Sequence, residues 1–208
     1  QNMVDHALTI EDRAERQRCA NTIINIQNTR ANGIAEAIIR AHKDGKKVIG
    51  ICGGYQMLGA RIEDPDQIEG DIPAIPGLGI LPLVTVMEPE KVTRQRQFNF
   101  RDYPETCQGY EIHMGRTVLL DGATASPLNR LPDGQADGYL LNDKCWGTYL
   151  HGILDNNVVL NDLATGLTQA SPKTFDYAEF KEQQYDKLAR HVRACVDMDY
   201  IYSTLKTK

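Results

Sequence analysis

The chain has 208 residues, 41% of them hydrophobic and 25% charged, with a net charge of −5. That length can bury the core of one large domain, and the acidic balance lacks the basic stripe of a nucleic-acid binder. No apolar run reaches the ~18 residues of a membrane span, and residues 1–20 lack the apolar stretch of a secretory leader.

Cys19, Cys52, Cys107, Cys145 and Cys195 are odd in number, widely spaced and form no CxxC pair. This argues against a disulfide framework or a zinc site and for reduced thiols in a cytoplasmic protein. The chain begins on Gln, which reads as a fragment or a processed form. Residues 1–20 are set apart as an atypical N-terminal segment, and residues 21–208 read as one domain.

Residues 21–44 predict a helix. Ile34, Ala37, Ile38 and Ala41 recur at helical spacing and Gly45 closes the segment. Residues 47–51 predict a short buried strand and residues 54–60 the start of a helix. Residues 63–79 hold Pro65, Pro73, Pro76, Gly70, Gly77 and Gly79, which predict a loop. Strand-like runs follow at 79–88, 96–102, 109–120, 137–141 and 145–154, with turns such as Leu131-Pro132-Asp133-Gly134 between them. From residue 175 the chain reads as helix again, with Tyr185, Leu188, Val192, Cys195 and Val196 on one face. A helical start, a strand-rich middle and a helical end predict a three-layer α/β domain with most strands in one sheet.

The sharpest feature is Gly50-Ile51-Cys52-Gly53-Gly54. A strand, a thiol between glycines and then a helix form the layout of a nucleophile elbow. The tight turn pushes the side chain out of the sheet, and glycines on either side remove Cβ atoms that would collide. The helix that follows aims its N–H groups at the sulfur, which favours thiolate, and the Gly53 N–H can hold an oxyanion. The plain alternative is a small buried core cysteine beside a turn. A thiol nucleophile also needs a base. His6 and His42 lie in polar or helical contexts and His191 in the C-terminal helix. His151 ends a strand-like run, where sites assemble in open sheets, so it is the preferred base and His113 the alternate.

Three motifs, "GICGGYQMLG" (50–59), "GYEIHMGRT" (109–117) and "GTYLHGILDN" (147–156), resemble in this order the glutamine amidotransferase domain of cobyric acid synthase. "NTIINIQNTRANGIAEAII" (21–39) and "LARHVRACVDMDYIY" (188–202) extend the resemblance over roughly residues 21–205. Met114-Gly115-Arg116-Thr117 is closer to that family than to the related cobyrinic acid a,c-diamide synthase. The resemblance implies a class I, triad-type glutaminase domain with a flavodoxin-like core and a mixed sheet. It implies Cys52 as nucleophile, His151 as general base, Gly53 and Gly54 at the oxyanion and substrate position, and Gln56 as a contact of bound glutamine. No metal or cofactor is expected in this domain. ATP and magnesium would belong to a separate N-terminal synthetase domain that amidates the carboxylates of a corrinoid, and no P-loop pattern for it occurs in the chain. The expected partners are therefore glutamine, that synthetase domain and the corrinoid, with neither nucleic acid nor membrane.

Two departures from the family pattern stand out. The position two residues after the histidine, usually Glu in triad amidotransferases, is Ile153, which leaves Asp155 and Glu111 as candidates for a third member. The Pro-Gly-Ser loop that supplies a second oxyanion donor is replaced by Gln17-Arg18-Cys19-Ala20, with no apolar strand upstream. Two other readings follow from these features: a related amidotransferase for another acceptor, such as a cell-wall lipid intermediate, and an inactive truncated domain serving as an interaction module.

Overall fold

The computed structural model describes residues 22–165 and 177–205, with residue 178 by its backbone alone. The expectations for residues 1–20 lie outside the described residues. The chain divides into two compact units, residues 1–153 and 154–208.

The first unit opens with α1 (Thr22–Ala31) and α2 (Ile34–Lys43). The single helix expected over 21–44 is broken because Gly33 takes the left-handed conformation, φ 70°, and its carbonyl accepts the Ala37 N–H to start the second helix. β1 (Val48–Ile51) leads through Cys52 into α3 (Gly53–Leu58). β2 (Arg61–Glu63) and β3 (Ala74–Pro76) follow, so a short strand forms inside the segment expected to be loop. It pairs antiparallel with β2 at the end of the sheet, a place that tolerates Pro76. The runs at 79–88 and 96–102 merge into one long strand, β4 (Leu83–Phe100), which forms a hairpin with β5 (Thr106–Leu119). The remaining strands are β6 (Asn129–Arg130), β7 (Ala136–Asp137), β8 (Tyr139–Asn142), β9 (Cys145–Thr148) and β10 (Leu150–His151).

The class is mixed α/β, as expected, and the strands form two sheets. The smaller has the order β1-β9-β8, with β1 and β9 parallel. The larger has seven strands and runs β10-β5-β4-β2-β3, with β6 and β7 attached to β4. It is mixed, since β2 and β4 are parallel while the other pairs are antiparallel. One core cluster joins Ala35, Tyr55, Leu58, Leu81, Tyr139 and Tyr149, and a second joins Ile23, Ile26, Ile62 and Met87.

The sequence run 145–154 is thus not one strand. The chain leaves the small sheet at Thr148, opposite Ile51, and enters the large sheet at Leu150, opposite Glu111. Tyr149 is the joint between them. Because β1 and β9 are parallel neighbours, residues just past their carboxyl ends, Cys52 and His151, fall in the same region.

The second unit holds α4 (Asn157–Ala164), α5 (Tyr177–Cys195) and α6 (Met198–Leu205). The apolar stripe expected on the C-terminal helix includes Tyr185, Leu188 and Val192, which are exposed, while Val196 falls just past the helix end at Cys195. No helix among the described residues is long and apolar enough to cross a membrane.

Candidate active site

Cys52 occupies φ 53°, ψ −116°, between the end of β1 and the first turn of α3. A non-glycine residue there is strained by roughly 1–3 kcal/mol and persists only where its surroundings hold it. Two contacts hold it: the Cys52 N–H donates to the Thr148 carbonyl at 2.9 Å, and the Gln56 N–H donates to the Cys52 carbonyl at 3.0 Å. The sulfur lies 3.5 Å from the Ile112 carbonyl oxygen of β5.

The glycines around Cys52 are not equivalent, contrary to the even-handed sequence reading. A Cβ on Gly50 would sit 2.7 Å from both the Gly54 carbonyl oxygen and Leu58 Cδ1. A Cβ on Gly53 would meet only Thr22 Oγ1 at 3.4 Å, and one on Gly54 would meet nothing within 4 Å. Gly50 alone is demanded by close packing of strand on helix. α3 runs six residues, so the dipole field expected at the sulfur is that of less than two turns.

The His151 ring stacks on Tyr110, centroids 5.1 Å apart and 11° from parallel. The Ile112 carbonyl also hydrogen-bonds this ring. Nε2 is buried with no hydrogen-bond partner among the described residues. Burial pushes the imidazole below its ordinary value of 6.5, and the carbonyl opposes that in part. Thiol and imidazole therefore both lie near the backbone of Ile112.

The alternate candidates have partners of their own. Glu111 and His113 project from one face of β5 into a cavity of about 500 Å³ shared with Arg94 and Arg96. His151 pairs with Tyr110, whose side chain alternates to the other face. Glu111 is held by Arg96 at 3.1 Å and Arg94 at 3.5 Å. The His113 ring lies 3.7 Å over Tyr149, and its Nδ1 is 3.2 Å from the Gly115 carbonyl. Burial lowers the His113 pKa as well. Asp155 is ion-paired with Lys181 at 3.2 Å, and Ile153 is fully buried. Glu111 and Asp155, the carboxylates expected as a third member, are thus both engaged by cations.

The sequence model of the CobB/CobQ-like glutamine amidotransferase domain matches residues 19–159. The chain belongs to this family. It is 63% identical over 189 residues to a cobyric acid synthase of Parabacteroides distasonis and 51% identical over 186 residues to one of Bacteroides fragilis. Each alignment takes in 89% of this chain, and the chain spans 38% of the length of either relative. A solved structure described as a glutamine amidotransferase superposes with a TM-score of 0.45 at 18% identity, over 65% of this chain and 68% of that one.

In this amidotransferase domain Gln56 faces inward. It is 2% exposed; Thr22 Oγ1 donates to its Oε1 at 2.7 Å, and its Nε2 donates to the Met114 carbonyl at 3.0 Å and to Tyr149 Oη at 3.2 Å. Both amide protons are spent inside the protein, so the side chain ties α1 to β5 and to the joint residue Tyr149. The contact with glutamine that the resemblance implies is left to Oε1, which accepts one bond here and has a second lone pair.

Three residues of this neighbourhood had no sequence signal of their own. Tyr149 is buried beside Cys52, its hydroxyl 2.6 Å from Thr117 Oγ1 and its pKa pushed up to about 12. Asp137 and Thr148 form a buried pair behind it. Asp137 opens the strand-like run 137–141, where nothing marks it as a buried, hydrogen-bonded carboxylate.

Proposed function

We propose that this chain hydrolyses glutamine to glutamate and ammonia, with Cys52 as nucleophile and His151 as general base, and that it serves as the glutaminase domain of a cobyric acid synthase. The observation that carries the reading is the strained cysteine at the corner between β1 and α3, its sulfur 3.5 Å from the Ile112 carbonyl, with His151 just past the neighbouring parallel strand β9. Family membership supports glutamine as the substrate, and the likeness to cobyric acid synthases supports the corrinoid pathway.

His151 Nε2 takes the thiol proton, and the sulfur attacks the side-chain amide carbon of glutamine. The C–S bond forms as the carbonyl electron pair moves onto oxygen, which the Gly53 N–H receives. The imidazolium returns its proton to the amide nitrogen, the C–N bond breaks and ammonia leaves. Water, deprotonated by the same ring, then attacks the γ-glutamyl thioester and releases glutamate with the thiol restored. With Nε2 as the accepting atom, the neutral ring carries its proton on Nδ1. A neutral orienting group serves a cysteine because a thiol ionises far more readily than a hydroxyl.

In the whole enzyme, a synthetase domain binding ATP and magnesium activates carboxylates of a corrinoid as acyl phosphates, and ammonia displaces phosphate to form the amides. The setting is the cytoplasm, with neither nucleic acid nor membrane as partner.

The test is glutamate release by the chain, with mass analysis after a glutamine-mimicking electrophile. Turnover with label on Cys52 supports the reading; turnover that persists after complete labelling of Cys52 overturns it. The pH profile gives a second check. The base works when neutral, and burial lowers its pKa, so activity should hold as pH falls through 6.5 and decline only below it. An acidic limb centred above pH 6.5 contradicts His151 as the base.

A further inference from the structure

The crossing from β9 to β10 leaves Tyr149 outside both ladders, and the amides around it need partners. Side chains supply them. The Tyr149 N–H donates to Asp137 Oδ1 at 3.0 Å, and the Leu150 N–H donates to Thr148 Oγ1 at 3.0 Å. The Thr148 hydroxyl donates in turn to Asp137 Oδ2, which also accepts from Asn129 Nδ2 at 2.8 Å. Asp137 is 7% exposed, and Thr148 and Asn129 are fully buried.

Burying a carboxylate is costly, and burial raises the Asp137 pKa. Three donors converge on this one, an arrangement that suits the anion. Gly138, at φ 75°, has no Cβ to strike Gly147 and Thr148, so β7 and β8 lie close over the end of β9. The carboxylate is thus pressed onto residues 148–150, one residue before the base.

We propose that Asp137, acting through Thr148, is a positioning residue that aims His151 at Cys52. It does not touch the reacting atoms; it fixes the backbone that carries the ring. The proposal rests on the assignment of Cys52 and His151 above. Loss of the network lets β10 shift, and a shift of about 1 Å in a base costs on the order of 10²-fold in rate.

The test uses Asp137→Asn, Thr148→Val and Thr148→Ser in the chain, each normalised to the folded fraction given by its urea unfolding curve. Asp137→Asn and Thr148→Val are expected to lower kcat by roughly 10²-fold with KM within about threefold, and Thr148→Ser to restore most of kcat. Independently of turnover, the rate at which iodoacetamide alkylates Cys52 at pH 7 should fall in both disabling variants to that of His151→Ala. A purely structural role lowers only the unfolding midpoint and leaves both rates per folded site at wild type, which overturns the proposal. Should Asp137→Asn fail to fold, Thr148→Val against Thr148→Ser decides. If Cys52→Ala keeps wild-type hydrolysis, the parent assignment has failed; if it is inactive while Thr148→Val is normal, the positioning role alone has failed.

Discussion

Cys52→Ala is expected to reduce glutamine hydrolysis by at least ~10³-fold while leaving the protein folded. The substitution removes one sulfur atom from a partly buried position and keeps a Cβ on the same strained backbone, so stability should change by less than about 1 kcal/mol. The other described cysteines are poor substitutes. Cys107 and Cys145 are buried, which raises both thiols, Cys145 to about 11. Cys195 is exposed on α5, 3.9 Å from His191, and serves as an internal control. Alkylation at pH 7 should reach Cys52 and Cys195, with glutamine protecting Cys52 alone. Hydrolysis by Cys52→Ala within tenfold of wild type, measured as glutamate release, would place the nucleophile elsewhere.

The elbow was legible in the sequence because its parts are consecutive. Strand, thiol, glycines and helix lie within 48–59, and each residue type has a local reason to be there. His151 was legible for a similar reason, as a titratable group at the end of a strand-like run. What orients it was not. The Ile112 oxygen is a backbone atom from a strand 60 residues beyond Cys52, and a backbone carbonyl has no signature in the choice of side chain. Side-chain pattern alone therefore offers the carboxylates Glu111 and Asp155 as a third member. Both are spent on cations, Glu111 on Arg94 and Arg96 and Asp155 on Lys181.

The fold shows the same division between local and distant causes. The mixed α/β class followed from the order of patterns along the chain. The break at Tyr149 did not, because 145–154 has one continuous strand-like pattern, and it is the buried Asp137 that satisfies the amide freed there. Gln56 illustrates the converse. Its spacing from Cys52 matched a family position, while its tight burial depends on Thr22, Met114 and Tyr149, all brought in by tertiary packing.

Gly50→Ala and Gly54→Ala should separate two glycines that look alike in the sequence. At Gly50 the added methyl meets the Gly54 carbonyl and Leu58 Cδ1, both at 2.7 Å. The carbonyl belongs to the first turn of α3, and moving it disturbs the turn that fixes Cys52 at φ 53°. Leu58 is buried at 3% exposure in the core cluster and has little room to turn away. Overpacking of this kind costs about 1–3 kcal/mol, and the collision with backbone puts Gly50→Ala at the upper end. Relief by shifting α3 also displaces the Gly53 N–H and the thiol, so kcat should fall with stability. At Gly54 the methyl enters open space within a helix, where Ala is favoured over Gly by about 0.5–1 kcal/mol. Urea unfolding midpoints should therefore move in opposite directions, down for Gly50→Ala and up for Gly54→Ala. Equal losses at both positions would mean that the glycines serve the turn's conformation, and that the contact between strand and helix does not distinguish them.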